Sequence, residues 1–199
     1  RSFTDLFAVA KKLFPLLKIF PKKTRNSPPC QQVVKIGGQV DLSEIPVLKC
    51  WPHDGGRFVT LPLVFTKSPD GKMRNLGMYR LQIYDKNTTG MHWHIHKDGS
   101  HFYKEYEKLG RRMEVAVAIG ADPSVIYAAT APMPRGADEL LLAGFLRGKG
   151  VEMAKCKTVD LQVPAESEFV LEGYVDPQER KLEGPFGDHT GYYSPADMY

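Results

Sequence analysis

No stretch of the chain approaches the roughly 18–20 consecutive apolar residues that a membrane-crossing helix needs. Cysteine is scarce: Cys30, Cys50 and Cys156 are odd in number, widely spaced and form no CxxC pair. That argues against a disulfide framework or a zinc knuckle and favours free thiols in a reducing compartment. There is no GxGxxG and no GxxxxGK[ST], so dinucleotide and NTP fingerprints are missing, and no GxSxG elbow marks a serine nucleophile. Internal repeats and low-complexity tracts are absent as well. Excess charge is small: +4 over 199 residues suits an anionic ligand but is too slight and too scattered to argue for nucleic acid.

What is present is ordinary globular material, 42% hydrophobic and 25% charged, enough for one sizeable core or one core plus a fragment of another. Residues 3–20 read as a helical segment bent or ended near Pro15, and Asp5, Lys11 and Lys12 spoil any signal-peptide reading. The basic, proline-bearing stretch 21–29 has linker composition. A start at Arg1 and a stop at Asp197-Met198-Tyr199 give the expectation of a piece of a longer protein. From Val33 onward, apolar or alternating runs between glycine and proline turns predict strands at Val33–Ile36, Phe58–Phe65, Gly77–Tyr84, Gly90–Ile95, Met113–Ile119, Lys157–Val163 and Glu168–Val175. Helices are predicted over His101–Leu109, over Pro123–Ala129 behind an Asp122 cap, and over Asp138–Leu146 with acids in its first turn.

Four features carry possible chemistry. On a strand through Asn75–Tyr84, Met78, Arg80, Gln82 and Tyr84 share one face, and a buried guanidinium there must meet a carboxylate or phosphate because it cannot shed its proton. An exposed strand arginine explains the run as well. In Met91-His92-Trp93-His94-Ile95-His96, alternation puts three imidazoles on one face, which invites a metal. The first glutamate beyond them, Glu105, lies too far along for a cupin, and a solvated polar face is the other reading. Glu183 and Asp188 flank Gly184, Pro185 and Gly187, which exclude a regular helix and place two acids on one shaped loop, a device for acid–base work. A surface turn would also supply two acids, although it explains Phe186, Tyr192 and Tyr193 poorly. Glu139, finally, is either a helix-start acid or something more.

In order, the phrases Cys30-Gln31-Gln32-Val33-Val34, Val40-Asp41-Leu42-Ser43, Cys50-Trp51-Pro52, Asn75 to Arg80, Gly120-Ala121-Asp122-Pro123, Leu171-Glu172-Gly173-Tyr174 and Glu183 to Tyr193 resemble the UbiD decarboxylases. Together they span nearly all of residues 28–199. The resemblance implies an α+β fold, a flavin-reductase-like split β-barrel with flanking helices. It implies prenylated FMN as cofactor, with a divalent metal (manganese first, K+ as a further candidate) at its phosphate. Residues 1–30 would be the tail of an N-terminal domain and a linker, residues 31–199 the central cofactor-binding domain, and a C-terminal domain would be absent. Carried across by position, Arg80, Glu183 and Asp188 match the catalytic set, and Asn75, Glu139 and His96 the metal ligands. Met78, Tyr79, Arg80, His92, Trp93, His94, Lys97 and Asp98 match cofactor contacts; His92 and Asp98 depart from the residues usual there.

The resemblance further implies non-oxidative decarboxylation of an aromatic or α,β-unsaturated acid, with a (polyprenyl-)4-hydroxybenzoate as first choice. The expected partners are the aromatic acid, a flavin prenyltransferase as cofactor supplier and, in the full-length protein, further copies of the chain, but no nucleic acid. The expected location is cytoplasmic, peripheral to the membrane if the substrate is polyprenylated. On chemical grounds, one of Glu183 and Asp188 should stay protonated near neutral pH, because a neighbouring carboxylate and a dry pocket both raise a pKa. An ordinary-FMN oxidoreductase or flavin-binding module on the same barrel is the alternative, and a non-catalytic metal-binding barrel a third.

Overall fold

The computed structural model describes residues 14–25, 27–93, 98–134 and 136–199. Its first strands are β1 (Lys22–Lys23), β2 (Arg57–Val59), β3 (Leu63–Lys67), β4 (Arg74–Met78), β5 (Leu81–Ile83), β6 (Thr89–Met91) and β7 (Met113–Ile119). After them come β8 (Glu152–Lys155), β9 (Gln162–Pro164), β10 (Phe169–Val175), β11 (Leu182–Glu183), β12 (Phe186–Gly187), β13 (Tyr193–Ser194) and β14 (Asp197–Met198). The helices are α1 (Asp98–Lys108), α2 (Pro123–Thr130) and α3 (Glu139–Arg147).

An antiparallel sheet of order β10-β7-β3-β4 continues, through two bends, into a second of order β2-β5-β6. The cause of the bending is local. Between the pairs Leu63↔Met78 and Val59↔Leu81, three residues (60–62) on one side face two (79–80) on the other. That unequal count is a bulge, which breaks the ladder and turns the sheet, and Pro62 has no N–H to offer there in any case.

Alternation decides the two faces of the first sheet. Leu63, Phe65, Leu76, Ala116 and Ala118 pack on one side against Val125, Ala128, Leu140 and Ala143 of α2 and α3. Val64 and Val117 lie on the other with Leu42, Tyr79, Leu81 and Ile83. Alanine in β7 lets the helices approach closely, which is why that strand alternates valine with alanine rather than with polar residues. The helix starts follow their caps: Asp122 accepts from Ser124 N at 2.8 Å, and Asp138 accepts from Leu140 N at 3.0 Å. Gly148, at φ 68°, ends α3 in the left-handed conformation that glycine adopts without steric cost.

The mixed α and β architecture is as expected, but the described strands do not close a barrel. The curled sheet ends at β10 on one side and β6 on the other, and among the described residues no strand joins them. A groove of about 1170 Å³ opens there, with Leu81, Met91, Trp93, Val115, Val117 and Leu171 in its wall. Other expectations also change. Val33–Ile36 forms no strand and is exposed, Val33 at 78%. Lys157–Val163 keeps only its end as β9, because the N–H groups of Lys157 and Thr158 go to the Glu172 carboxylate instead of a ladder. Phe58–Phe65 and Gly77–Tyr84 are each two strands, and Gly90–Ile95 is strand only over β6 among its described residues. The basic stretch expected as a linker is tied down: β1 pairs in parallel with β8, and Thr24 N donates to Met153 O at 2.9 Å. Of the helical segment expected over residues 3–20, the described part is a short 3₁₀ turn, Phe14–Lys18.

Candidate active site

The bend between β4 and β5 builds the site. Tyr79, at 1% exposure, folds back over its own strand onto Gly77, where a Cβ would stand 2.5 Å from the ring. Arg80 leaves this corner rather than a regular strand, so the shared face expected for Met78, Arg80, Gln82 and Tyr84 is interrupted. Its guanidinium meets Glu183 through two bonds, Nε to Oε1 at 2.7 Å and Nη2 to Oε2 at 3.0 Å. His92 Nδ1 lies 3.3 Å from Glu183 Oε2 and 3.2 Å from Arg80 Nη2, and Ser194 Oγ is 3.3 Å from the same Nη2. The Phe186 ring stacks 4.3 Å below the guanidinium carbon.

Glu183 is 0% exposed. Burial pushes its pKa up, but hydrogen bonds from His92 and Arg80, together with their charge, outweigh that and bring it down to about 2. It is therefore a carboxylate at neutral pH, enclosed by donors. The carboxylate or phosphate that a buried Arg80 requires is supplied within the chain by Glu183.

The loop beyond Glu183 is held from two sides. Gly184 N donates to buried Gln82 Oε1 and Gly187 N to buried Asp54 Oδ1, both at 2.7 Å. Asp54 Oδ2 accepts from Trp51 N at 2.8 Å, and Gly55 N donates to Pro185 O at 2.7 Å. Gly55 presses so closely on the loop that a Cβ there would lie 1.9 Å from Gly184 O. Phe58 and Phe186 meet edge to face at 4.8 Å.

Asp188 differs from expectation. It lies just past β12, where its N donates to Tyr192 O at 3.0 Å and its O accepts from Gly191 N at 3.1 Å in a tight turn. Its side chain is 37% exposed and bonds His189 Nδ1 at 3.0 Å and Thr190 Oγ1 at 3.1 Å. Partial desolvation acts to raise its pKa, but the bonds from His189 and Thr190 win and hold it below the usual aspartate value. The expectation that one acid stays protonated in a shared dry pocket is thus corrected. Each carboxylate has its own donors, and both are ionised at neutral pH.

Asn75 and Glu139 are both buried, on β4 and at the start of α3. Glu139 Oε2 accepts from Leu76 N at 3.2 Å, which brings the carboxylate to the residue beside Asn75, and Asp138 pairs with Arg74. Asn75 Nδ2 is buried and has no hydrogen-bond partner among the described residues. An amide in that state suits a phosphate oxygen or, turned over, offers its own oxygen to a hard cation. These two donors fit the implied metal and phosphate. Among the described residues no group of three His, Cys, Asp or Glu side chains is placed to hold a metal. His96, the third expected ligand, lies outside the described residues, as do His94 and Lys97. Asp98 begins α1. Trp93 packs on Tyr79 with ring centres 4.8 Å apart, and half-buried Met78 lies against the helix-side core. Asp54 and Ser194, which hold the loop and the arginine, carry no sequence signal. A turn such as Trp51–Gly56 contains an aspartate as a matter of course.

The family model "UbiD: 3-octaprenyl-4-hydroxybenzoate carboxy-lyase Rift-related domain" matches residues 22–199, and the chain belongs to this family. An uncharacterised protein of Archaeoglobus fulgidus is 51% identical over all of this chain, which covers 40% of that protein. One of Helicobacter pylori (strain 26695) is 48% identical, with 32% of its length covered. The chain thus spans about a third to two fifths of these relatives. Among solved structures, the UbiD-class enzyme HmfF from Pelotomaculum thermopropionicum, in complex with FMN, superposes with a TM-score of 0.85 at 31% identity, covering 97% of this chain and 46% of that one. The closed form of vanillic acid decarboxylase from Sedimentibacter hydroxybenzoicus gives 0.86 at 29% identity, covering 100% and 43%.

Proposed function

We propose that the full polypeptide decarboxylates an aromatic or α,β-unsaturated carboxylic acid without oxidation, with a (polyprenyl-)4-hydroxybenzoate as first candidate. The observation that carries this reading is the buried Arg80–Glu183–His92 cage with a fixed loop leading to Asp188. An ordinary-FMN oxidoreductase, the alternative, has no use for such a pair of acids. In the reaction the bond from the ring or vinyl carbon to the carboxylate breaks, CO2 leaves, and a proton replaces it. Bound prenylated FMN supplies the electron sink for the pair left on carbon. Arg80 and Glu183, locked together as an ion pair, form a fixed dipole in a dry place, and the guanidinium end of it would orient an anionic group. Asp188 delivers the proton. Because it is ionised at rest and part-exposed, it must first take that proton from solvent, and its position gives solvent access for this in every turnover.

Met78, Tyr79, Arg80, His92, Trp93, His94, Lys97 and Asp98 are proposed to contact the cofactor, within a domain spanning residues 31–199. Asn75, Glu139 and His96 are proposed to hold manganese or magnesium, with K+ as an addition, against its phosphate. A flavin prenyltransferase would supply the cofactor, and a homo-oligomer is the proposed assembly. No helix among the described residues is long and apolar enough to cross a membrane.

The direct test is the mass and ultraviolet–visible spectrum of the ligand that co-purifies with the full-length protein. Prenylated FMN is the expected result, and plain FMN with no CO2 release from any aromatic acid would sink the proposal. Glu139→Ala is expected to lose divalent metal and flavin together, as read by metal analysis and absorbance, while Leu76 N–H loses its acceptor at a cost of about 1 kcal/mol. Full metal occupancy in that variant would reduce Glu139 to a partner of the β4 backbone.

A further inference from the structure

We infer that Asp54 is a positioning residue that sets the Asp188 end of the loop; the inference rests on the proton-donor role proposed above for Asp188. Asp54 is 4% exposed, and none of the described residues forms an ion pair with it. A buried carboxylate without a counter-ion is costly unless N–H groups satisfy it. Here each oxygen takes one backbone N–H, Oδ1 from Gly187 and Oδ2 from Trp51. Those donors belong to segments far apart in sequence, so the side chain is a two-ended clamp between the 51–55 turn and the loop. Two acceptors on one short side chain need a carboxylate. Asparagine has one acceptor and would point an amide N–H at the second donor.

The clamp acts at one end of the loop only. The Glu183 end has its own restraints, Gln82 on Gly184 N, Gly55 N on Pro185 O and the double bond pair to Arg80. Gly187, held by Asp54, directly precedes Asp188 and is the last residue of β12, from which the Asp188–Gly191 turn departs. Release of Gly187 therefore lets the Asp188 carboxylate drift while the arginine cage stays in place. Misplacement of a reacting group by about 1 Å is enough to cost on the order of 100-fold in rate.

The experiment uses the full-length, cofactor-loaded protein with Asp54→Ala, Asp54→Asn, Asp188→Asn and the Ala/Asn double variant. Asp54→Ala is expected to lower kcat and solvent-deuterium exchange into product by about 10- to 100-fold, with KM within about threefold and an unchanged flavin spectrum. In the Asp188→Asn background the same change is expected to add less than about twofold, because the clamp acts through the residue already removed. A full second loss in the double variant, unchanged kcat in Asp54→Ala, or flavin loss in step with kcat would each overturn the inference. Should Asp54→Ala not fold, Asp54→Asn carries the comparison, with kcat and solvent-deuterium exchange reduced at full flavin occupancy. If the parent releases no CO2 from any acid, the proposed function has failed instead. Amide exchange then decides the clamp alone: faster exchange across residues 184–192 with residues 74–83 unchanged supports it, and equal protection overturns it.

Discussion

Arg80→Ala is expected to destabilise the protein by about 3–5 kcal/mol, the usual cost of leaving one partner of a buried ion pair uncompensated. The stranded group is Glu183, fully enclosed and left with the His92 ring beside it. Arg80→Lys should recover only part of the loss, since a single ammonium cannot make both bonds of the fork. The pH dependence follows from the same pair. The folded pKa of Glu183, about 2, lies below its ordinary 4.5. Its contribution is therefore complete above pH 4.5 and is lost as pH falls from there toward 2. Removal of Arg80 raises the folded value, so the acid limb of stability should move to higher pH. Urea unfolding at pH 7 and across the acid range measures both effects. A loss below about 1 kcal/mol with an unmoved acid limb would show that the pair is energetically idle.

Asp188→Asn is expected to lower kcat by roughly 100-fold or more while flavin remains bound, since an amide cannot deliver the proton. Solvent-deuterium exchange into product isolates that step from CO2 release and should vanish. Stability should change little, because the side chain is part-exposed and, among the described residues, bonds His189 and Thr190 in its own turn. The two substitutions thus separate cleanly: Arg80→Ala acts on both stability and turnover, Asp188→Asn on turnover alone. Near-normal exchange in Asp188→Asn would return Asp188 to the role of a turn residue.

Elements whose cause is local were legible in the sequence. Strand β7 alternates through all its residues, α2 announces itself by Asp122, which caps it as expected, and α3 by its opening acids, of which Asp138 stands one place earlier than expected, as the cap. The bend at Tyr79–Arg80 was not legible, because the alternation of Met78, Arg80 and Gln82 runs through it unbroken. Only the count of residues on the partner strand reveals the bulge. The strand expected at Lys157 was lost to Glu172, a competitor on another strand that no window along the chain contains. The charge of Asp188 was misjudged because it depends on where His189 and Thr190 point. At the site, residue types carried Arg80 and Glu183, whereas Asp54 and Ser194 earn their places only through three-dimensional proximity.

The unequal bend between β4 and β5 also sets where the gene can gain or lose codons. Two residues, Tyr79 and Arg80, separate ladders whose registers are fixed on both sides, Leu63↔Met78 and Val59↔Leu81. One residue added or removed there would invert the faces of β5. Gln82 would then swing away from Gly184 N, and the guanidinium would leave its carboxylate. The turn after β5 is the connection of the β5–β6 hairpin, closed by Tyr84 N to Thr88 O at 3.0 Å, and a change of length within it leaves β5 in register with β2. Length variation in this part of the chain belongs at Asp85–Thr88 and not at the corner.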